Sequence, residues 1–144
     1  MAINTAKVIT GGIAAGIIMN VSGFVVQSML LGKRMEAEML AVAPSLQGKG
    51  MGGSAIAGRV LTQFAVGILL AWLYAAMRPR FGPGMKTAIM AAIPVWVCGF
   101  LFYLDWLYME MMTPATYAIV SVVMAITLAI AAAAAGALYR EDGV

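Results

Sequence analysis

Residues 8–32 read VITGGIAAGIIMNVSGFVVQSMLLG and contain no charged side chain. A helix needs about 20 predominantly apolar residues to cross the hydrocarbon core of a bilayer. The run is too long for the apolar part of a signal peptide, and no small-residue cleavage site follows a short apolar core. It therefore predicts a membrane-spanning helix that is retained in the protein.

Charged residues delimit three further apolar runs, 60–77, 87–104 and 111–139. The first of these gains length from the uncharged residues 51–58, because Arg59 can extend its charge to the interface while its stem stays in lipid. All four runs are long enough to span a bilayer. The sequence predicts an all-α fold, a four-transmembrane-helix bundle of a polytopic membrane protein, with helices at about 6–32, 54–78, 86–111 and 114–139.

The composition supports this prediction. Of the 144 residues, 63% are hydrophobic and only 10% are charged, against about 45–50% and about 25% in soluble domains. A soluble chain of this length would leave much of that apolar surface in water. We expect a single domain over residues 1–144, with membrane lipid around most of it.

The residues that usually carry chemistry are scarce. The chain has no histidine and one cysteine, Cys98, which leaves it without the commonest metal ligand and the commonest general base. Asp105 and Glu110 are five residues apart and lie off the same helix face, so they do not resemble an acid–base pair. We therefore expect no metal, no cofactor and no enzymatic activity, and because the basic residues lie between apolar runs we expect no nucleic-acid binding.

The connections between the helices are short except for one. Residues 78–84 carry two prolines and two glycines, typical of a tight turn that ends the second helix, and Thr113 before Pro114 is typical of a helix start. The segment 33–53 is the longest connection. Its first half predicts either a helix on the membrane interface or a continuation of the first helix, and its second half is rich in glycine.

Four crossings place both termini on one side of the membrane. Lys7, Arg78, Arg80, Lys86 and Arg140 would then lie on the side of the termini, five basic residues against four on the other side. Since Lys and Arg favour the cytoplasmic side, this small excess predicts cytoplasmic termini.

Small residues recur at helical spacing where two helices could pack closely. Transmembrane helices associate through such residues and through polar contacts between helices. The first helix has Gly12, Gly16 and Gly23 on the face that also holds Asn20 and Gln27. The second helix has a row of small residues, and the fourth is rich in alanine. The expected packing positions in these two helices are Ser54, Gly58, Thr62, Ala65 and Gly136.

Four polar residues are candidates for a ligand site inside the membrane: Asn20, Gln27, Gln63 and Asp105. An acid within hydrocarbon is costly and often functional, but Asp105 lies near the end of its helix, where an ordinary hydrated carboxylate is the simpler interpretation. The three amides have a simpler interpretation too, as hydrogen-bonding contacts between helices.

The segment LAWLYAAMRPRFGPG at 70–84, together with the glycine-rich first helix and LYRE at 138–141, resembles a loosely defined group of small bacterial four-helix integral membrane proteins of unknown function. The resemblance implies a multi-pass protein of the bacterial inner membrane and supplies no activity. The segment also has a structural interpretation, with aromatic anchors, a basic turn and prolines that stop the second helix.

Two functions remain open from the sequence. The first is a non-catalytic accessory or scaffold subunit that packs against other membrane proteins or against itself. The second is a protein that binds or transports a hydrophobic small molecule, such as a quinone, lipid or pigment, or a small ion through the bundle.

Overall fold

The computed structural model describes residues 3–49 and 52–139, and within these ranges all regular structure is helical. Five α-helices follow one another within the described residues. A π-helical turn at Val26–Leu30 extends the first helix, and a short 3-10 turn follows the second. The helices are α1 (Thr5–Val25), α2 (Gly32–Val42), α3 (Gly53–Phe81), α4 (Met85–Tyr108) and α5 (Pro114–Leu138).

The first apolar run forms α1 and its π-helical extension, and α2 is a separate helix. Asn4 caps the start of α1, where its side-chain oxygen accepts from the Lys7 backbone N–H. Leu31, between the extension and α2, has φ −119° and ψ −12°, which interrupts the α-helical geometry. Gly32 is required at this junction, because a Cβ there would overlap the carbonyl oxygen of Gln27.

The turn between α3 and α4 lies further along the chain than the prolines alone predicted. Pro79 lies within α3, which ends at Phe81. Proline removes one hydrogen-bond donor and does not prevent a last turn from forming near a helix end. Gly82, at φ 81°, ends the helix instead, with its N–H donating to the Arg78 carbonyl. Glycine reaches this left-handed conformation at little steric cost.

The start of α5 follows the predicted chemistry, whereas α4 ends earlier than residue 111. Thr113 is the N-cap of α5, and its side chain accepts from the Thr116 backbone N–H, with Pro114 in the first turn. α4 ends at Tyr108. Glu110, at φ 58°, has a left-handed backbone conformation, which a helix cannot continue through.

Helix α1 packs against α3 and α5, and α4 packs against α5 and α3. The interior is built mainly from alanine, and short side chains let helix backbones approach closely. Tyr74, Tyr139 and Leu70 are the largest fully buried apolar side chains. The buried alanines are Ala15, Ala71, Ala75, Ala88, Ala91, Ala92, Ala131, Ala132 and Ala135.

Four helical segments of the described structure are long and apolar enough to cross a membrane: Thr5–Leu30, Gly53–Phe81, Met85–Tyr108 and Pro114–Leu138. The shortest of them has 24 residues, about 36 Å of helix, against a hydrocarbon core of about 30 Å. Large apolar side chains such as Ile17, Phe24 and Ile126 lie exposed along them. These properties support a helical membrane protein.

Candidate functional site

Helices α1 and α3 approach each other closely where three glycines meet. Gly12 and Gly16, predicted as packing residues, lie against Gly67 and its neighbours. A Cβ added to Gly12 would lie 2.6 Å from the Ile68 Cα, and one added to Gly67 would lie 2.6 Å from the Gly16 nitrogen. Gly67 has no glycine one helical turn away in α3, so no spacing in the sequence predicted it as a packing residue.

The other predicted packing glycines have different surroundings. Gly136 faces the Tyr74 ring, which would lie 2.9 Å from a Cβ added to Gly136. A Cβ added to Gly23 would lie 3.5 Å from the nearest guanidinium nitrogen of Arg59. No heavy atom of the described residues lies within 4 Å of an added Cβ at Gly58. Gly67 lies nine residues and about 180° around the helix from Gly58, so α1 packs on the face of α3 opposite the predicted small-residue row. That row is uncovered at Gly58.

The four candidate ligand residues are not brought to one place. Asn20 donates from its side-chain amide to the Gly16 carbonyl at 2.9 Å and to the Val60 carbonyl at 3.4 Å, so it joins α1 to α3. Gln63 lies along the same helix contact, with its amide nitrogen 3.7 Å from an added Cβ at Gly23. Gln27 is exposed in the π-helical turn, and Asp105 is exposed near the end of α4.

Further polar contacts join the helices where the sequence showed only isolated polar residues. The Ser22 and Thr127 hydroxyls lie 2.7 Å apart and join α1 to α5. The Trp96 indole N–H donates to the Ser121 carbonyl at 2.9 Å, and the Tyr117 hydroxyl donates to the Phe100 carbonyl at 3.0 Å, so that two bonds join α4 to α5. Such bonds stabilise helix association in lipid.

A polar cluster around Glu38 joins α2 to the start of α5. The Glu38 carboxylate accepts from the Thr116 hydroxyl at 2.6 Å, from the Thr113 hydroxyl at 2.8 Å and from the Thr113 backbone N–H at 3.0 Å. The Arg34 Nε donates to the same carboxylate at 3.1 Å. A negative charge at this position also interacts favourably with the N-terminal end of the α5 dipole.

The Glu38 carboxyl is strongly acidic as a result. Partial burial opposes its ionisation, but the bonds from Thr116, Thr113 and Arg34 together outweigh that effect and lower the pKa of Glu38 from 4.5 to about 2. The carboxylate is thus held ionised as the cap of another helix. The sequence predicted the Thr-Pro start of the last helix and an interfacial segment that contains this acid. No pattern in the sequence indicated that the two would be in contact.

Two buried tyrosines organise the opposite end, where α1 and α4 begin and α3 and α5 end. The Tyr74 hydroxyl accepts from the Gly84 N–H, and the Tyr139 hydroxyl accepts from the Asn4 N–H, both at 3.1 Å. Their rings meet edge to face with centroids 6.2 Å apart. Tyr74, which the sequence placed among the aromatic anchors, is a core residue with 2% exposure.

A cavity of about 270 Å³ opens beside these tyrosines. The Arg78 side chain lines it and lies over the Tyr139 ring, 5.8 Å from the centroid, at a distance typical of a cation–π contact. The other lining residues are Tyr74, Pro83, Gly84, Met85, Ala88, Ala133, Gly136, Ala137 and Tyr139. None of the four candidate ligand residues lines this cavity.

Metal-ligating and thiol side chains lie apart from one another in residues 3–49 and 52–139. Within those ranges, His, Cys, Asp and Glu side chains form no group of three that could hold a metal ion. Cys98 is an exposed free thiol. Arg140, counted above for orientation, lies outside the described residues. In comparisons with known proteins, no protein family, curated protein or solved structure matched this chain.

Proposed function

We propose that this chain is a non-catalytic integral protein of the bacterial inner membrane, with cytoplasmic termini, that serves as an accessory or scaffold subunit of a larger membrane assembly. The observation that carries the proposal is the uncovered start of α3. Every described residue from 52 to 62 is exposed, although this segment includes the small-residue row with Gly58 at its centre.

Exposure of small and polar residues on a spanning helix favours protein rather than lipid as the neighbour. Lipid-facing positions are served by large apolar side chains, whereas small residues let a second backbone approach. At Gly58 the backbone is open, and the Thr62 hydroxyl turns inward to the Gly58 carbonyl at 2.9 Å. The row Ser54, Gly58 and Thr62 therefore offers a smooth surface on which another helix can pack.

The ionisable groups with described contacts also have structural roles. Glu38 and Arg34 hold α2 against α5, and Arg78 lies over a core tyrosine. The alternative function, binding or transport through the bundle, has weaker support, because the Asn20 amide is already bonded to two backbone carbonyls and Asp105 is exposed on another helix.

The test is purification of the tagged full-length chain from its native membrane in a lipid-preserving copolymer. We expect a stoichiometric partner that is lost in Gly58→Ile and retained in Ala57→Ile. The second variant adds the same side chain to the same exposed turn, about 100° around the helix. Both variants should keep the helical circular dichroism spectrum, because neither position is covered within the chain.

A wild-type chain that elutes alone, or equal loss of the partner in both variants, would contradict the accessory role. If the wild type forms a homo-oligomer and Gly58→Ile dissociates it, then α3 is still the docking face, but its partner is a second copy of this chain.

A further inference from the structure

The cavity beside Tyr74 lies at the end of the helices where all the charged side chains of the described residues are basic. Arg78 lines the cavity, Arg80 follows in the last turn of α3, and Lys86 lies in the first turn of α4. Lys7 lies in the first turns of α1 at the same end. The acids of residues 3–49 and 52–139 are Glu36, Glu38, Asp105 and Glu110, all at the opposite end. Glu141 and Asp142 follow in the sequence and lie outside the described residues. Among the described side chains, the four positive charges of Lys7, Arg78, Arg80 and Lys86 at this end favour an anion.

Uncharged hydrogen-bond donors also point to an anionic ligand. Tyr74 lines the cavity, and its hydroxyl accepts from the N–H of Gly84, another lining residue. The hydroxyl keeps its own proton for donation. None of the described residues accepts that proton, although Tyr74 is only 2% exposed. α4 begins at the cavity with Gly84 as an N-cap that has no side chain to satisfy the first-turn N–H groups, and these groups favour negative charge.

The groups around the cavity are fixed before any ligand arrives. The Tyr139 hydroxyl accepts a hydrogen bond from the Asn4 N–H, and the Arg78 guanidinium lies over the face of the Tyr139 ring. The Tyr74 ring packs edge to face against the Tyr139 ring, and it also lies against the backbone at Gly136. A guanidinium held in this way loses less conformational freedom when it binds a phosphate oxygen.

The size of the cavity favours a headgroup over a whole hydrophobic molecule. Its volume of about 270 Å³ is just below the range of about 300–1,000 Å³ for sites that enclose a ligand. A phospholipid needs only its phosphate in such a site, since its acyl chains stay in the bilayer. Exposed apolar side chains lie next to the cavity on both flanking helices, with Ile89 on α4 and Leu138 on α5.

We propose that this cavity binds the phosphate of an anionic phospholipid headgroup, with Arg78 as the charged contact and the Tyr74 hydroxyl as a neutral donor. The acyl chains lie along the outer faces of α4 and α5. Basic sites between transmembrane helices near the interface are suited to anionic headgroups. This inference is independent of the docking face on α3, which lies at the other end of the molecule.

The experiment measures lipid retention by native mass spectrometry of the full-length chain, purified and then supplied with phosphatidylglycerol or phosphatidylcholine. We expect at least tenfold stronger retention of phosphatidylglycerol. Arg78→Gln should reduce it at least tenfold, and Arg59→Gln, which removes the same charge from the far end of α3, should leave it unchanged.

A second pair of variants keeps the inference testable if Arg78→Gln fails to fold. Ala137 lines the cavity and is exposed, so Ala137→Leu fills the space without disturbing the core. Ala118→Leu adds the same side chain to an exposed position nearer the start of α5. We expect loss of lipid retention in the first variant and wild-type retention in the second.

Three outcomes would overturn the inference. Equal retention of the two lipids, or equal effects within either pair of variants, would show that the cavity does not bind the headgroup selectively. Displacement of phosphatidylglycerol by inorganic phosphate at the same concentration would assign the cavity to a free anion instead of a lipid.

Discussion

The contact between α1 and α3 predicts how a single methyl group should affect stability. In Gly67→Ala the new carbon would lie 2.6 Å from the Gly16 nitrogen, and the Gly12 carbonyl oxygen is nearer still. Ordinary contact begins at 3.4 Å, so the two helices must separate by about 0.8 Å to relieve the Gly16 contact and by more to relieve the Gly12 contact. Both neighbours are backbone atoms that cannot rotate away, unlike the end of a flexible side chain.

The magnitude follows from two opposing effects. Overpacking of a tight interface costs about 1–3 kcal/mol, and replacing glycine by alanine within a helix gains about 1 kcal/mol. Gly58→Ala, in the same helix, should gain the helix-propensity effect without the overpacking cost. No heavy atom of the described residues lies within 4 Å of a Cβ added there. The free energies of unfolding of the two variants should therefore differ by about 1–3 kcal/mol, with Gly67→Ala the less stable.

The assay is unfolding of the purified monomeric chain in mixed micelles by titration with sodium dodecyl sulfate, followed by circular dichroism. Wild type, Gly67→Ala and Gly58→Ala are compared at the same protein concentration. If Gly67→Ala unfolds at the same detergent fraction as Gly58→Ala, the close approach of α1 and α3 is not part of the stable fold and the reasoning fails.

Three further predictions use the same titration. Glu38→Gln should lower the free energy of unfolding by about 1–2 kcal/mol at pH 7. Because the pKa of Glu38 is about 2 in the folded chain against an ordinary value of 4.5, the wild type should lose this advantage as the pH falls through that interval. Equal pH dependence of the two proteins would contradict this prediction. Asn20→Ala should cost about 0.6 kcal/mol as a lost contact between helices, and a change in a retained small molecule without a change in stability would instead favour a ligand role. Tyr139→Phe keeps the ring under Arg78 but removes the acceptor of the Asn4 N–H, so we expect a loss of about 1 kcal/mol and faster hydrogen exchange at Asn4, and an unchanged exchange rate would argue against that bond.

The apolar runs were enough to predict the four long helices, because lipid requires each spanning segment to satisfy its own backbone. Helix ends were less predictable. Pro79 was expected to stop α3, but proline disturbs a helix mainly toward its N-terminal side, and Gly82 provides the conformation that ends it. Glu110 adopts a left-handed conformation that no local pattern indicates.

The contacts between helices were only partly accessible from the sequence. The spacing of Gly12 and Gly16 predicts a close approach but not its partner, and Gly67 has no such spacing to mark it. The same kind of row in α3 contains Gly58, which is uncovered. A small-residue pattern therefore indicates where a backbone can approach and leaves open whether the neighbour belongs to the same chain.

The bond between Glu38 and Thr113 has a consequence for biogenesis, because it spans 75 residues of sequence. While the nascent chain is inserted in order, α2 emerges long before the helix that it caps has been synthesised. Its carboxylate must remain at the bilayer surface until α5 is inserted. A chain truncated before Thr113 would lack the Thr113 and Thr116 donors to the Glu38 carboxylate, so this contact between α2 and α5 forms only after the last helix has been inserted.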